Sequence, residues 1–181
     1  MIPLMVNCSN QLTHFTIMKD LISIALGMLT VGTLLSAPAR AAEPKTPGEK
    51  LLTEFWAKVY NPPYDFDTID RLCSEDFILT NSGKDVVGRA AFKEWVLSFS
   101  NKIRDLRLKN LDMFSSADGT RVVSRWVVTG FNRGMFGTPA DDRPVEFTGT
   151  AIFEVRNGKL THNWVERSAY ELMQKLQQPG K

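Results

Sequence analysis

Hydrophobic positions along this chain change period once, from the three-to-four spacing of helices to the two-residue alternation of strands. Leu51, Leu52, Phe55, Trp56, Val59 and Tyr60 recur on one helical face. The run opens on Thr46-Pro47-Gly48-Glu49, a capping box in which the Thr hydroxyl and the Glu carboxylate each satisfy a free amide, with proline at the first helical position. It stops at Asn61-Pro62-Pro63, because proline lacks the amide donor and clashes with the preceding turn. Asp67 is placed to cap a short second helix with Ile69, Leu72 and Cys73 inward, and Phe77 to Thr80 reads as a brief strand ended by Asn81-Ser82-Gly83. A third helix, Arg89 to about Lys102, carries Phe92, Trp95, Val96, Phe99 and Ile103 on one stripe.

Beyond residue 104 the alternation takes over. Leu106 and Leu108 share one parity and Leu111 and Met113 the other, which predicts a bulge near Lys109-Asn110. Asp118-Gly119 turns the chain into a strand from Arg121 to Phe131, and an irregular loop follows from Asn132 to Pro144. Val145 to Arg156 and Lys159 to Arg167 form a hairpin about Asn157-Gly158, where both residues tolerate positive φ. Ser168-Ala169-Tyr170-Glu171 reads as a second capping box opening a C-terminal helix with Leu172, Met173 and Leu176. Helices segregated before a four-stranded antiparallel meander imply an α+β domain. A strongly curved sheet wrapped over those helices makes a cone lined by aromatic rings.

The N-terminal forty residues do not belong to this pattern. Leu21 to Ala37 is an apolar stretch that follows Lys19 and precedes Pro38-Ala39-Arg40-Ala41-Ala42, an A-x-A cleavage context. Residues 1–41 are therefore expected to be a secretory signal and 42–181 a single domain, periplasmic or secreted. An uncleaved anchor is the alternative, although a span needs about 20 predominantly apolar residues. Residues 1–17 carry no Lys or Arg, so Met18 is a candidate start. Removal of Lys19, Arg40 and Asp20 lowers the formal charge from +2 to +1, too little to hold a polyphosphate, and nucleic acid is not an expected partner. No stable membrane insertion is expected after cleavage. Cys8 falls in the signal and Cys73 is left alone beside Leu72, which reads as a small buried hydrophobe rather than a reactive thiol.

The run Thr129-Gly130-Phe131-Asn132-Arg133-Gly134-Met135-Phe136-Gly137-Thr138-Pro139, then Arg143-Pro144-Val145, Gly158-Lys159-Leu160, Trp164 and Leu172-Met173-Gln174-Lys175-Leu176, resembles the SnoaL-like polyketide cyclase group of the nuclear transport factor 2-like superfamily. The resemblance spans about Leu51 to Leu176. It implies a conical α+β barrel (helices on a strongly curved antiparallel sheet), an internal pocket open at one end, frequent homodimerisation through the sheet, and no metal or organic cofactor. In those cyclases an aspartate four residues after the tryptophan is the general acid/base, and here that position is Ser168. A serine hydroxyl does not hold a proton with a pKa near operating pH, so the cyclase mechanism does not transfer. Ser168 is also explained as a helix cap.

Alternation places His162, Trp164, Glu166 and Ser168 on one face of the last strand and Thr161, Asn163, Val165 and Arg167 on the other. If Trp164 lines the interior, Glu166 does too, and a carboxylate beside an indole in a dry cone becomes a candidate general acid/base. The alternative is a structural ion pair with Arg125 or another arginine. Arg125 either presents its guanidinium to a ligand oxygen or faces solvent, with Trp126 and Val128 inward. Asn163 and Thr80 are further hydrogen-bond candidates. Trp56, Trp95, Phe99 and Phe147 are core rings of which some line the cavity, and Phe136 sits in a glycine-flanked rim loop, Gly134 to Pro144. One His and one Cys beyond the signal supply neither a metal site nor a Cys–His dyad. Two functions follow. The chain binds a small, mainly apolar ligand in the cone, or it is a cofactor-independent cyclase, isomerase or hydrolase using Glu166. A dimeric scaffold with a collapsed cavity is a third possibility.

Overall fold

A computed structural model describes residues 44–179, so the expected signal and the region before Met18 lie outside the described residues. The elements run α1 (Pro47–Val59), α2 (Thr68–Leu72), β1 (Cys73–Asn81), β2 (Lys84–Val87), α3 (Arg89–Ser100), β3 (Ile103–Ser115), β4 (Arg121–Asn132), a 3-10 turn (Met135–Gly137), β5 (Pro144–Arg156), β6 (Lys159–Ser168) and α4 (Tyr170–Gln177). The strands form one six-stranded sheet in the order β2-β1-β6-β5-β4-β3. The four long strands pair antiparallel, as the meander predicts, and β1 joins them parallel to β6. Strand β2 carries too little hydrophobic signal to announce itself. It is made by the turn at Ser82 and Gly83, both at positive φ, which folds Lys84–Val87 back along β1.

The first capping box forms with a shift. Thr46 Oγ1 accepts from the Glu49 amide at 3.1 Å, but the Glu49 carboxylate accepts from the Lys45 amide at 2.6 Å and from Ser115 Oγ at 3.0 Å, tying the helix start to the end of β3. Burial raises the Glu49 pKa, but these hydrogen bonds outweigh it and leave it below the usual carboxylate value. The second box does not form. Ser168 is still paired with Thr148 in the sheet, so α4 starts from Ala169 without a side-chain cap. Asp67 also makes no cap hydrogen bond; its carboxylate instead meets Lys93 of α3 at 2.7 Å.

Between the helices and the inner sheet face lies an aromatic core. Phe55 of α1 meets Phe92 of α3 at 6.2 Å, Phe153 of β5 at 5.8 Å and Trp56 at 5.2 Å, and Phe77 meets Phe92 at 4.4 Å. Phe55, Phe92 and Phe153 are at most 1% exposed, so α1, α3 and the sheet are held by mutual burial of rings. Cys73 is buried there, and desolvation pushes its thiol up to about 12, so it stays protonated and packs as an apolar group. The predicted bulge in β3 appears as a register shift between Asn110 and Asp112.

Candidate functional site

The inner face of the sheet is set by a second bulge, in the last hairpin. Leu160 pairs with Val155 and His162 with Glu154, leaving Thr161 unpaired. Leu160 and Thr161 are both buried, and from there the alternation is reversed: Asn163 and Val165 point inward with Arg167, while His162, Trp164 and Glu166 lie on the outer face. Counting back in twos from Trp164 reaches Leu160, which is inward, so unbroken alternation from that buried leucine gives the wrong face. The signal that was available is the inward requirement of Val165, whose neighbours Trp164 and Glu166 then must face out.

Asn163, Val165 and Arg167 meet Trp56 of α1, Tyr60 just after that helix, Trp95 and Phe99 of α3 and Trp126 of β4 around an inner cavity of about 20 Å³, room for one water molecule or one ligand head group at most, since a water needs roughly 10–15 Å³. Arg167, Trp95 and Phe99 also line a wider mouth of about 250 Å³, closed on its other sides by Met135, Phe136 and Phe147. Inner cavity and mouth share Arg167, Trp95 and Phe99 as walls, and the two adjoining spaces together are called the recess.

Polar groups in this recess are unusually free. Trp126 and Asn163 are 3% and 5% exposed, and Trp126 Nε1, Asn163 Oδ1 and Arg167 Nε are buried without a hydrogen-bond partner. Buried polar atoms in native proteins are nearly always paired, so three orphans around one cavity mark a place built to meet something. Arg167 Nη1 donates to Asn81 Oδ1 of β1, and the guanidinium lies 5.1 Å over Trp95 and 5.4 Å over Phe99, two rings stacked at 5.4 Å. Burial pulls the Arg167 pKa below its usual value, with Tyr60 and Glu166 acting the other way. Burial raises the Tyr60 pKa, so its hydroxyl keeps its proton. By contrast Trp56 is satisfied: its Nε1 donates to Ser124 Oγ at 3.0 Å, and Ser124 donates to Asn110 Oδ1 at 2.6 Å. Gly149 shapes the site, because a Cβ there would stand 2.3 Å from Trp126 Cζ2 and 2.8 Å from the Glu166 carbonyl.

The family model for the SnoaL-like domain matches residues 52–163, more than half of the chain. The chain belongs to the SnoaL-like domain family. Among solved structures, one described as a SnoaL-like polyketide cyclase from Jannaschia sp. is 14% identical with a TM-score of 0.69 over 79% of this chain and 100% of its own. Structures described as polyketide cyclases from Acidithiobacillus ferrooxidans and Xanthomonas campestris are 18% and 24% identical, with TM-scores of 0.66 and 0.63, over 77% and 74% of this chain and 100% and 99% of theirs. At these identities the likeness establishes the nuclear transport factor 2-like α+β fold. No curated protein matches significantly.

Within this SnoaL-like domain the residues expected at the site divide. Trp56, Trp95, Phe99 and Phe147 line the recess, and Phe136, 41% exposed with φ 54°, stands at its rim. Glu166 and Ser168 are exposed, and Trp164 is stacked on His162 at 3.6 Å on the outer face with Arg121 above it at 5.3 Å. The expectation that Trp164 and Glu166 project inward is corrected by the bulge at Thr161. Arg125 is exposed beside the inward Ser124 and Trp126, and among the described residues no ion pair joins it to Glu166. Thr80 faces outward too, its hydroxyl donating to Asp85 Oδ1 at 2.6 Å and lying 2.8 Å from His162 Nε2. Sequence reasoning missed Arg167, Tyr60 and the indole nitrogen of Trp126. Among the described residues no three His, Cys, Asp or Glu side chains gather as a metal site. A larger groove of about 460 Å³ runs between α1 and the bulged half of β3 and shares Trp56 with the inner cavity, but its Glu49 carboxylate is already hydrogen-bonded.

Proposed function

We propose that this domain binds a small, mainly apolar molecule in the recess between Trp95, Phe99, Phe136 and Phe147, and that it does so without acid–base catalysis. The observation that supports this reading is the chemistry of the walls. Both ends of the recess are lined by rings, aliphatic groups, amides and two cations, and no carboxylate or imidazole is among the described lining residues. Carboxylates and imidazoles are the commonest proton-transfer groups, and the phenol that lines the recess, Tyr60, is held protonated by burial and so does not serve as a base. Native mass spectrometry of protein purified from its own host tests the proposal. A copurified small molecule that is lost from a Phe99→Ala, Phe147→Ala double variant supports it, and ligand-free protein under conditions that preserve other complexes overturns it.

A cofactor-independent cyclase or isomerase is the second reading, favoured by Trp126 Nε1–H and Arg167 Nε–H, unpartnered donors suited to a developing enolate. Glu166 would have to serve such a reaction from the outer face, so turnover of any ligand found should survive Glu166→Gln. Export is part of the first reading, supported by the apolar stretch Leu21–Ala37 before Ala39-Arg40-Ala41 and tested by N-terminal sequencing of protein from the periplasm or medium. Homodimerisation through the outer sheet face is supported by exposed Phe114 and Ile152 and tested by light scattering.

A further inference from the structure

Arg167 carries a charge that the recess does not compensate. Its guanidinium is covered on its face by Trp95 and Phe99, one terminal nitrogen is held by the neutral Asn81, and its Nε has no partner. No described ion pair includes it, and its neighbour Glu166 leaves the strand on the opposite side. Lys102 adds a second cation at the mouth. A sequestered cation without a counter-ion is costly, whereas one that is matched by an arriving anion gains a short, charge-assisted hydrogen bond in a weakly solvated place.

We propose that the molecule taken by the recess is a carboxylate on a flat apolar body of one or two rings, its acid group on Arg167 Nε and its rings between Phe99, Phe136 and Phe147. This inference rests on the binding role proposed above and narrows it to a ligand class. The planar carboxylate suits the guanidinium edge, which offers donors in one plane. The mouth, about 250 Å³, lies just below the roughly 300–1,000 Å³ of typical ligand sites, which limits the body to one or two rings. The orphaned Trp126 Nε1 and Asn163 Oδ1 beyond the arginine meet a second polar atom or a bridging water at the acid end.

The test is isothermal titration calorimetry of protein from the full-length gene with benzoate, 1-naphthoate and the neutral alcohols benzyl alcohol and 1-naphthalenemethanol. At least one acid is expected to bind about tenfold or more tighter than its alcohol, as a desolvated charged hydrogen bond implies. Arg167→Met should abolish that preference while alcohol binding persists, and Arg167→Lys should keep part of it. Arg125→Gln, which removes the same charge from the outer face, should change nothing. Equal binding of acids and alcohols overturns the anion assignment and leaves the apolar recess standing. Absence of binding by all four overturns both. A preference that survives Arg167→Met, or that vanishes in Arg125→Gln, removes Arg167 from the role.

Discussion

The deep end of the cone and its mouth are made from the same kind of residue and end in opposite states. At the deep end Phe55, Phe77, Phe92 and Phe153 close on one another and are at most 1% exposed. At the mouth Trp95 and Phe99 stack face to face but leave a recess, because an arginine rather than another ring stands against them. Ring content alone therefore does not distinguish core from cavity; what fills the space opposite the rings does. Dense packing maximises stability at one end, and stability is given up at the other for buried polar atoms with nothing to hold.

If that contrast is right, the largest loss comes from the deep end. Phe153→Ala or Phe55→Ala should lower unfolding free energy by about 3–5 kcal/mol, read from urea midpoints, the range seen when a buried ring leaves a cavity. A loss below about 1 kcal/mol would mean the deep end is as loose as the mouth. Gly149→Ala comes next, at about 1–3 kcal/mol, because its Cβ has no space against the Trp126 ring and the Glu166 carbonyl. It should also displace Trp126 and shift the emission of that indole. Arg167→Met sharpens the contrast by reversing its sign: removing a buried, unmatched cation should leave stability unchanged or raise it by about 1 kcal/mol, while the preference for an acid over its alcohol is lost. A large destabilisation there would make the arginine a structural prop.

The smallest effect belongs to the outer face. Burial lowers the His162 pKa from 6.5, with Asp85 and Glu154 opposing and Arg121 adding to the shift. Because the folded value is depressed, its contribution is complete above the unfolded pKa and is lost as pH falls through the folded one. Urea midpoints of the native chain should therefore decline more steeply below pH 6.5 than those of His162→Gln. Parallel profiles would show that His162 does not report on folding.

Much of this fold is written locally. The stripe through Leu52, Phe55, Trp56 and Val59, the stop at Pro62, the bulge of β3 and the Asn157-Gly158 hairpin each depend on neighbours in sequence, and each is found. The site is not local. Which parity of β6 faces inward depends on one unpaired residue, and Thr161 has nothing in its side chain that says it will bulge. Asp67 and Ser168 look like caps because their side chains suit the task, yet Asp67 is drawn to Lys93 and Ser168 is still in the sheet. Tertiary partners outbid both.

The unpaired Thr161 works like a reading frame for the rest of its strand. Substitutions downstream change single side chains, but drawing Thr161 into the ladder opposite Glu154, with no residue bulged, would transpose every later position, sending Arg167 to the solvent and Glu166 into the hollow. Whether this one position bulges or pairs therefore decides between a basic lining and an acidic one in a single step, with no change in the letters that follow.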